Sequence, residues 1–208
     1  NAQDPGTGWG KILRLDLLGQ PAPGNPFLET PGAMGGVWSL GHRNVQGLAI
    51  HPETGQLYAT EMGPRGGDEL NLILPGSNYG WPLITYGTEY SGSRVGEGLT
   101  WMEGMEQPVY YWDPVPAVSG MDFYRGEAMP EWKGDLFIGG LAGSHILRLK
   151  LAGDRVTGEE RLLENEGQRQ AILFEAVRAL GVASSEVRLI AEPGERIAAG
   201  EPLFSWVD

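Results

Sequence analysis

Two segments of the chain repeat one pattern, in which short apolar runs are separated by glycine-rich turns. The runs lie at residues 47–50, 57–60 and 69–73 in the first segment and at residues 120–124, 135–139 and 146–151 in the second. Apolar and polar positions alternate most clearly from Leu147 to Leu151, as in a strand with one buried face. Each segment therefore predicts three short strands, and Val156 with residues 161–163 predicts a fourth strand after the second segment.

Repeated meanders of about four strands are typical of β-propeller blades. An ordinary antiparallel sandwich shows a similar alternation, so the pattern favours a propeller but leaves the sandwich open. The 33 glycines and 15 prolines among 208 residues support an all-β chain of short elements and many turns. A glycine- and aromatic-rich insertion from about Asn78 to Asp113 separates the two segments, and loops of this length usually build a site or meet a partner.

The end of the chain has a different pattern. Residues 170–180 carry an apolar stripe at helical spacing, and Gly181 follows as a plausible C-cap. Residues 187–190 and 197–204, separated by the Pro193–Gly194 turn, predict a hairpin. The hairpin is similar to biotinyl and lipoyl modules, but no lysine follows Lys150 to carry such a group. We therefore predict a partial propeller over residues 1–169 and a divergent helix–hairpin tail over residues 170–208.

Charge and composition exclude several classes of function. The net charge is −12, and no lysine or arginine cluster provides the basic face that a nucleic-acid-binding protein needs. Neutral small molecules such as sugars carry no electrostatic penalty with an acidic protein. The absence of cysteine excludes disulfides, thiolate zinc sites and iron–sulfur clusters. No apolar run reaches membrane-spanning length, and residues 1–5 do not form a signal peptide, so the chain is expected to be part of a longer product.

Candidate chemistry begins in the segment that precedes the first predicted strand. Arg43 offers a planar fork of donors for a carboxylate, and the amides of Asn44 and Gln46 can bind quinone or sugar oxygens. A surface arginine with amides that cap a turn is the alternative. The glycine-rich residues 61–69 follow the second strand and leave backbone carbonyls free to turn toward a hard cation such as calcium. A plain acidic loop explains that segment equally well.

Aromatic residues and histidines add weaker signals. The segments 78–82 and 110–114 supply rings that stack on flat cofactors or on sugar faces, although packing beneath a loop is the commoner explanation. His51 and His145 lie next to predicted strands and turns, where we expect surface or packing roles and no catalytic base.

Taken together, these segments resemble the glucose/sorbosone dehydrogenase family, the soluble aldose sugar dehydrogenases that use pyrroloquinoline quinone (PQQ). The matching motifs occur in family order over about residues 8–169. They are Gly10-Lys11-Ile12-Leu13-Arg14-Leu15, Gly41-His42-Arg43-Asn44 with Gln46-Gly47-Leu48, Glu61 with Gly63-Pro64, Asp68-Glu69-Leu70-Asn71, Asn78-Tyr79-Gly80-Trp81-Pro82, Gly104-Met105-Glu106-Gln107-Pro108, Tyr111-Trp112-Asp113-Pro114, Trp132-Lys133-Gly134-Asp135-Leu136-Phe137 and Gly158-Glu159-Glu160-Arg161-Leu162-Leu163.

The resemblance implies a calcium-bearing quinoprotein of the periplasm or the secreted space, with a six-bladed propeller and PQQ lying over its top face. This chain would supply about three to four of the blades. It implies oxidation of an aldose at C1 to the lactone, with an electron acceptor that reoxidises the cofactor. A homodimer or a partner chain would complete the propeller. The implied cofactor residues are Arg43, Asn44, Gln46, Trp112 and Arg169; the implied calcium ligands are the carbonyls of Gly63 and Pro64, and main-chain oxygens of Glu69 and Tyr79 would hold a second calcium.

The chain departs from the family pattern at three points. The position of the family's catalytic histidine lies upstream of Asn1, and His42 is not at that position. The family's cofactor-binding lysine falls near Ala142, and the expected run after Gly167-Gln168-Arg169 breaks at Gln170. Whether the chain is itself an enzyme is therefore open, and a non-catalytic, propeller-derived module that binds calcium or carbohydrate is the alternative. Either reading requires the loops of Arg43–Asn44 and Gly63–Pro64 to converge on one pocket.

Overall fold

The computed structural model describes residues 1–142, 144–164, 187–189 and 204–206. Its described residues form strands and loops, with one short 3-10 helix at Pro130–Trp132. The strands are β1 (Lys11–Leu13), β2 (Val37–Leu40), β3 (Val45–Ile50), β4 (Leu57–Glu61), β5 (Asp68–Ile73), β6 (Tyr110–Trp112), β7 (Val118–Phe123), β8 (Leu136–Gly140), β9 (His145–Ala152), β10 (Arg155–Leu162), β11 (Val187–Leu189) and β12 (Phe204–Trp206).

Two four-stranded antiparallel sheets contain the two repeated segments. Their strand orders are β3-β4-β5-β6 and β7-β8-β9-β10, so each sheet is a simple meander. The six strands predicted from the two segments are present, and β10 confirms the predicted fourth strand. The sequence did not predict β6, because its three residues are too few to show an alternation inside the 78–113 insertion.

The two sheets pack against each other through their first strands. β3 lies against β7, and a Cβ added at Gly47 would lie 3.0 Å from the backbone nitrogen of Met121. The hydroxyl of Thr60 in β4 donates a hydrogen bond to the carbonyl of Ser119 in β7, at 2.8 Å. First strands side by side, with later strands farther out, are the arrangement of adjacent propeller blades. The structure therefore confirms the all-β propeller fold; the blade number of three to four stays a prediction.

Apolar side chains fill the space between the sheets. This core contains Ala49, Tyr58, Leu70, Trp112, Val118, Met121, Phe123, Leu136, Ile138, Leu147 and Leu149. A second cluster of Ile12, Ala59, Ile73 and Tyr79, with Trp38 and Val45 against it, lies on the other face of β4 and β5 toward the two-stranded sheet β1-β2. β4 is therefore buried on both faces, which fixes the strand end that carries Glu61.

The tail is described only in part. β11 pairs antiparallel with β12, and Val187 lies opposite Trp206. This pairing confirms the first predicted strand of the tail. Its partner, Phe204–Trp206, shares only Phe204 with the predicted segment 197–204. The predicted helix at residues 170–180 and Arg169 lie outside the described residues, and the division at residue 169 stays a prediction. Within the part of the chain that the structure describes, no helix has the length and hydropathy to cross a membrane.

Candidate cofactor and metal site

The register of β3 and β4 brings the two predicted loops to one sheet edge. Val45 at the start of β3 lies opposite Glu61 at the end of β4, so the residues before β3 and after β4 are neighbours. The backbone N–H of Met62 donates to the carbonyl of Asn44 at 3.0 Å. The loops that carry Arg43–Asn44 and Gly63–Pro64 thus converge, as the sequence analysis required.

The Arg43 side chain lies directly on the Gly63 loop. Its Nη1 donates to the carbonyl oxygens of Met62 and Gly63, at 3.0 Å each. Its Nη2 reaches the hydroxyl of Tyr90 at 3.4 Å, and the guanidinium carbon lies 5.3 Å from the centre of the Trp81 ring. Beside it the exposed Gln46 amide donates to the Asn44 side-chain oxygen at 2.8 Å. One surface therefore presents a guanidinium, two amides and two aromatic rings.

The Gly63 loop is a narrow cradle of backbone oxygens. A Cβ at Gly63 would lie 2.2 Å from the Gly66 carbonyl oxygen and 2.4 Å from that of Gly67, so only glycine fits. Gly66 and Gly67 have φ angles of 82° and 70°, in the left-handed region that glycine adopts without strain. The N–H of Gly67 donates to the Trp112 carbonyl at 2.9 Å, which closes the loop.

Asp68 ties this cradle to the neighbouring sheet. Its Oδ1 accepts the N–H of Gly63 and its Oδ2 accepts the N–H of Val118 in β7, both at 2.9 Å. Burial raises the pKa of Asp68 above its usual value, while the backbone hydrogen bonds and the charge of Arg43 oppose that rise. A buried acceptor with two amide donors holds the loop in a single position.

A buried polar network lies beneath Arg43. His42 Nδ1 is 2.9 Å from Glu61 Oε2, and His42 Nε2 is 2.8 Å from Ser39 Oγ. Glu61 Oε1 also accepts the backbone N–H of Arg43 and, at 3.3 Å, that of Asn44. All three side chains of the network are buried. The network therefore connects β2, β4 and the candidate cofactor residues.

Glu69 and Tyr79 both lie against this network. Glu69 is directly opposite Glu61 in the β4–β5 register, and its carboxylate accepts the Asn71 amide at 3.1 Å. Burial, with repulsion from Glu61 and Asp68, raises the pKa of Glu69 to about 8. The Tyr79 ring stacks on His42 with centroids 4.6 Å apart, and burial raises the pKa of its hydroxyl. Their predicted main-chain contacts with a second calcium stay a prediction.

Trp112 lies in the core below the site. Its ring is 4% exposed, and its indole N–H donates to Glu159 at 2.9 Å, so the ring packs between strands. The prediction that it flanks the cofactor stays a prediction; its carbonyl holds the Gly63 loop through Gly67. His145 is buried and the His51 ring lies 4.8 Å from the Phe123 ring, in agreement with the surface or packing roles predicted for both.

Sequence reasoning assigned no site role to four residues of this edge, His42, Glu61, Asp68 and Tyr90, although the first three lie within the family motifs. Two of them had a usable signal, since His42 and Glu61 flank facing ends of consecutive predicted strands, and an antiparallel pair brings such ends together. Tyr90 carried no signal, because it sits in the irregular insertion and reaches Arg43 only through the course of that loop.

Comparison with known proteins agrees with this geometry. A model of the glucose/sorbosone dehydrogenase family matches residues 1–172. The chain belongs to this family. It is 45% identical over 169 residues to the aldose sugar dehydrogenase YliI of Escherichia coli K12, a match that covers 81% of this chain and 46% of that enzyme.

Solved structures give the same result. A crystal structure of a glucose dehydrogenase superposes with a TM-score of 0.79 at 50% identity and covers 81% of this chain and 49% of that one. The PQQ-bound form of an aldose sugar dehydrogenase from Streptomyces coelicolor has a TM-score of 0.61 at 38% identity, covering 81% of this chain and 43% of that one. The chain therefore spans less than half the length of these relatives.

The donors at this edge fit an anionic, oxygen-rich cofactor and a hard cation. The described residues contain no group of three or more His, Cys, Asp or Glu side chains arranged to hold a metal. The Gly63 loop provides backbone oxygens as candidate ligands, and the Gly63 oxygen already accepts a hydrogen bond from the cationic Arg43. Carbonyl oxygens of this kind suit calcium better than a soft metal.

Proposed function

We propose that this chain forms the PQQ- and calcium-binding half of an aldose sugar dehydrogenase that oxidises its substrate at C1 to the lactone. The observation that carries the proposal is the convergence of Arg43 on the Gly63 carbonyl, 3.0 Å apart. An anion-binding guanidinium and a carbonyl cradle for a cation meet at one sheet edge. The family membership and a PQQ-bound relative support the same conclusion.

Arg43, Asn44 and Gln46 would hold the cofactor. PQQ is a flat, anionic quinone, and a guanidinium meets its carboxylates with paired, charge-assisted hydrogen bonds. The side chains of Asn44 and Gln46 are exposed, and their contacts are weak or with each other: the Gln46 amide donates to the Asn44 oxygen at 2.8 Å, and the Asn44 amide reaches the Met62 sulfur at 3.8 Å. Both amides can therefore turn toward quinone oxygens. We also propose Arg169 as a cofactor contact from its place in the family motif.

The carbonyl oxygens of Gly63 and Pro64 would hold the calcium. In the same loop, Gly66 and Gly67 turn their backbone oxygens toward Gly63, within 2.4 Å of the place of a Gly63 Cβ. Asp68 fixes the Gly63 backbone through its N–H, whereas the Arg43 guanidinium that donates to the Gly63 oxygen would shift away from it when an ion binds. A second calcium on main-chain oxygens of Glu69 and Tyr79 is part of the same proposal.

The reaction removes two electrons and two protons from the aldose. The chemistry that a bound PQQ would supply is acceptance of a hydride from C1, and a calcium held by the Gly63 loop would supply Lewis acidity. The C1 hydroxyl proton would pass to a general base, while Arg43, Asn44 and Gln46 would orient the cofactor and the Gly63 loop would hold the ion. An electron acceptor would reoxidise the reduced cofactor. A second copy or a partner chain would complete the propeller. We also propose a periplasmic or secreted location.

A non-catalytic role is the second candidate. The match to YliI covers 46% of that enzyme, so turnover by this chain alone is a separate question from binding. A propeller-derived module that binds calcium or carbohydrate without turnover would keep every contact described above.

One experiment separates the two functions. The purified chain is mixed with calcium, PQQ, an aldose and a dye acceptor, and quinone binding is measured in parallel with dye reduction. Calcium-dependent PQQ binding supports the proposed site. Turnover by this chain alone would show that it also contains a base, whereas binding without turnover supports the non-catalytic role. Failure to bind PQQ in the presence of calcium contradicts both the site and the proposed activity.

A further inference from the structure

We infer that Glu61 is a positioning residue, which fixes the backbone of the cofactor-binding pair Arg43–Asn44 through a buried clamp with His42 and Ser39. The inference rests on the proposed function for the role of Arg43 and Asn44. The clamp itself rests on hydrogen bonds that are independent of any cofactor.

Glu61 gathers three donors onto one carboxylate. Its Oε1 accepts the backbone N–H groups of Arg43 and Asn44, and its Oε2 lies 2.9 Å from His42 Nδ1. Both backbone donors belong to the residues that face the cofactor. Glu61 is 4% exposed and ends β4, a strand buried on both faces, so the acceptor itself does not move. Hydrogen bonds to a buried charged group are among the stronger ones in proteins.

His42 fixes the other end of the carboxylate. Because a carboxylate oxygen accepts, His42 Nδ1 donates to Glu61, which leaves Nε2 as the acceptor for the Ser39 hydroxyl at 2.8 Å. The ring stacks on Tyr79, and its backbone N–H donates to the Gly10 carbonyl at 3.1 Å. The imidazole thus has a fixed plane, a fixed tautomer and no freedom to rotate.

The chain is also closely confined just before Arg43. Gly41 has a φ of 80°, and a Cβ there would lie 2.1 Å from the Asn78 side-chain oxygen. The N–H of Trp81 donates to the Gly41 carbonyl at 2.8 Å, and the Trp81 ring lies beneath the Arg43 guanidinium. Backbone and side chain of Arg43 are therefore positioned by different partners, and Glu61 is the one that acts on the backbone.

The order of groups, Ser39–His42–Glu61, is that of a hydrolytic triad, but burial excludes that chemistry. Ser39 is 0% exposed and His42 is 2% exposed, so no substrate carbonyl can reach the hydroxyl. In addition, Glu61 Oε1 accepts two backbone N–H groups, whereas the acid of a hydrolytic triad orients only the histidine. The geometry fits a positioning network and not a nucleophile.

Three variants of the full chain test the clamp. Glu61→Ala removes every acceptor, whereas Glu61→Gln keeps an oxygen for the two amides and lets His42 switch tautomer. Asp135→Asn is the matched control, since Asp135 is a buried acid at the opposite end of the neighbouring sheet, paired with Arg148 at 2.7 Å. The measurements are amide hydrogen exchange at Arg43 and Asn44, the Kd for PQQ with calcium, and the melting temperature.

We expect Glu61→Ala to exchange the Arg43 and Asn44 amides about tenfold faster or more and to raise the Kd for PQQ about tenfold. Glu61→Gln should restore most of both properties. Asp135→Asn should lower the melting temperature while leaving both unchanged. Should Glu61→Ala fail to fold, His42→Phe keeps the ring on Tyr79 but removes the donor to Glu61, and it should weaken PQQ binding in the same direction.

Two results overturn the inference. Unchanged exchange of both amides in Glu61→Ala shows that no clamp exists. Faster exchange of the Arg43 and Asn44 amides in Glu61→Ala with an unchanged Kd for PQQ shows that Glu61 holds this backbone but does not position it for the cofactor. A wild-type chain that binds no PQQ refutes the proposed function and with it the positioning role, while the exchange data still report separately whether the clamp is there.

Discussion

The Asp68 carboxylate accepts the backbone N–H of Gly63, at 2.9 Å, and thereby anchors the candidate calcium loop to the start of β5. Its second oxygen accepts the N–H of Val118 in the next sheet, also at 2.9 Å. One buried side chain therefore couples the position of the loop to the packing between the two sheets. This coupling makes the site sensitive to changes that do not touch a ligand.

Replacement of Asp68 by asparagine tests this coupling. An amide keeps one acceptor but turns an NH2 group toward a backbone N–H, so one buried donor loses its partner. We expect the free energy of unfolding to fall by about 1–3 kcal/mol and calcium binding to weaken. Chemical denaturation and calorimetric titration with calcium measure the two effects.

Asp154→Asn is the control for that variant, because Asp154 is exposed, lies away from the loop and accepts a hydrogen bond from the Gln56 side chain at 3.0 Å. It should leave both quantities unchanged within about 0.5 kcal/mol. An Asp68→Asn protein with wild-type stability and calcium affinity would show that the carboxylate does not hold the loop.

The Gly63 loop should not accept a side chain. In Gly63→Ala the new methyl group would lie 2.2 Å from a backbone oxygen, and backbone cannot move aside as a flexible side chain can. We expect calcium binding to be lost and the melting temperature to fall by several degrees. Gly158→Ala is the comparison, since its nearest neighbour is the Lys150 side chain at 3.8 Å and its backbone is unstrained. Calcium binding retained by Gly63→Ala would place the ion elsewhere.

The raised pKa of Glu69 predicts that the stability of the protein depends on pH in calcium-free buffer. Its pKa is raised from 4.5 to about 8 by burial and by the nearby Glu61, so between these pH values the folded state binds more protons than the unfolded state. The free energy of unfolding should therefore fall as pH rises through this window, by at most about 1.4 kcal/mol per pH unit from this group. Urea denaturation at pH 5, 6, 7 and 8 measures the slope.

Glu69→Gln removes the titrating group and should flatten that slope. Glu97→Gln, which replaces an exposed glutamate, serves as the control and should keep it. An identical pH profile for Glu69→Gln and the wild type would mean that Glu69 is not the group responsible.

Trp112 provides a test between packing and cofactor contact. The ring is 4% exposed and its N–H is bonded to Glu159, so Trp112→Phe should lower the free energy of unfolding by about 1–3 kcal/mol and change the Kd for PQQ less than about threefold. Denaturation and PQQ titration on the same sample give both numbers. A Kd that rises tenfold at unchanged stability would instead place the ring against the cofactor.

The strands and their pairing were largely predictable from the sequence, because alternation and glycine turns are local signals. β3, β4, β5 and β7 to β10 each carry such a signal, whereas β6 is a strand only because Tyr110–Trp112 finds the free edge of β5. The expectation that the Arg43 and Gly63 loops lie together came from the family motifs, and the β3–β4 register brings them to one sheet edge.

The residues beneath the site were not predictable in the same way. Glu61 acts on Arg43 through its backbone N–H, and no side-chain pattern in a single sequence reports a bond to a backbone group. Asp68 joins two sheets whose relative position depends on the packing of β3 against β7. Such contacts exist only after the fold is formed, which is why the sequence indicated the candidate ligands but not the residues that support them.

The most direct test of the account is a titration of PQQ into the chain with calcium and with a chelator, for the wild type and for Arg43→Ala. The account predicts saturable binding that requires calcium and weakens about tenfold or more when the guanidinium is removed. Binding that is absent, or that ignores both calcium and Arg43, would contradict the central claim that Arg43 and the Gly63 loop form one site.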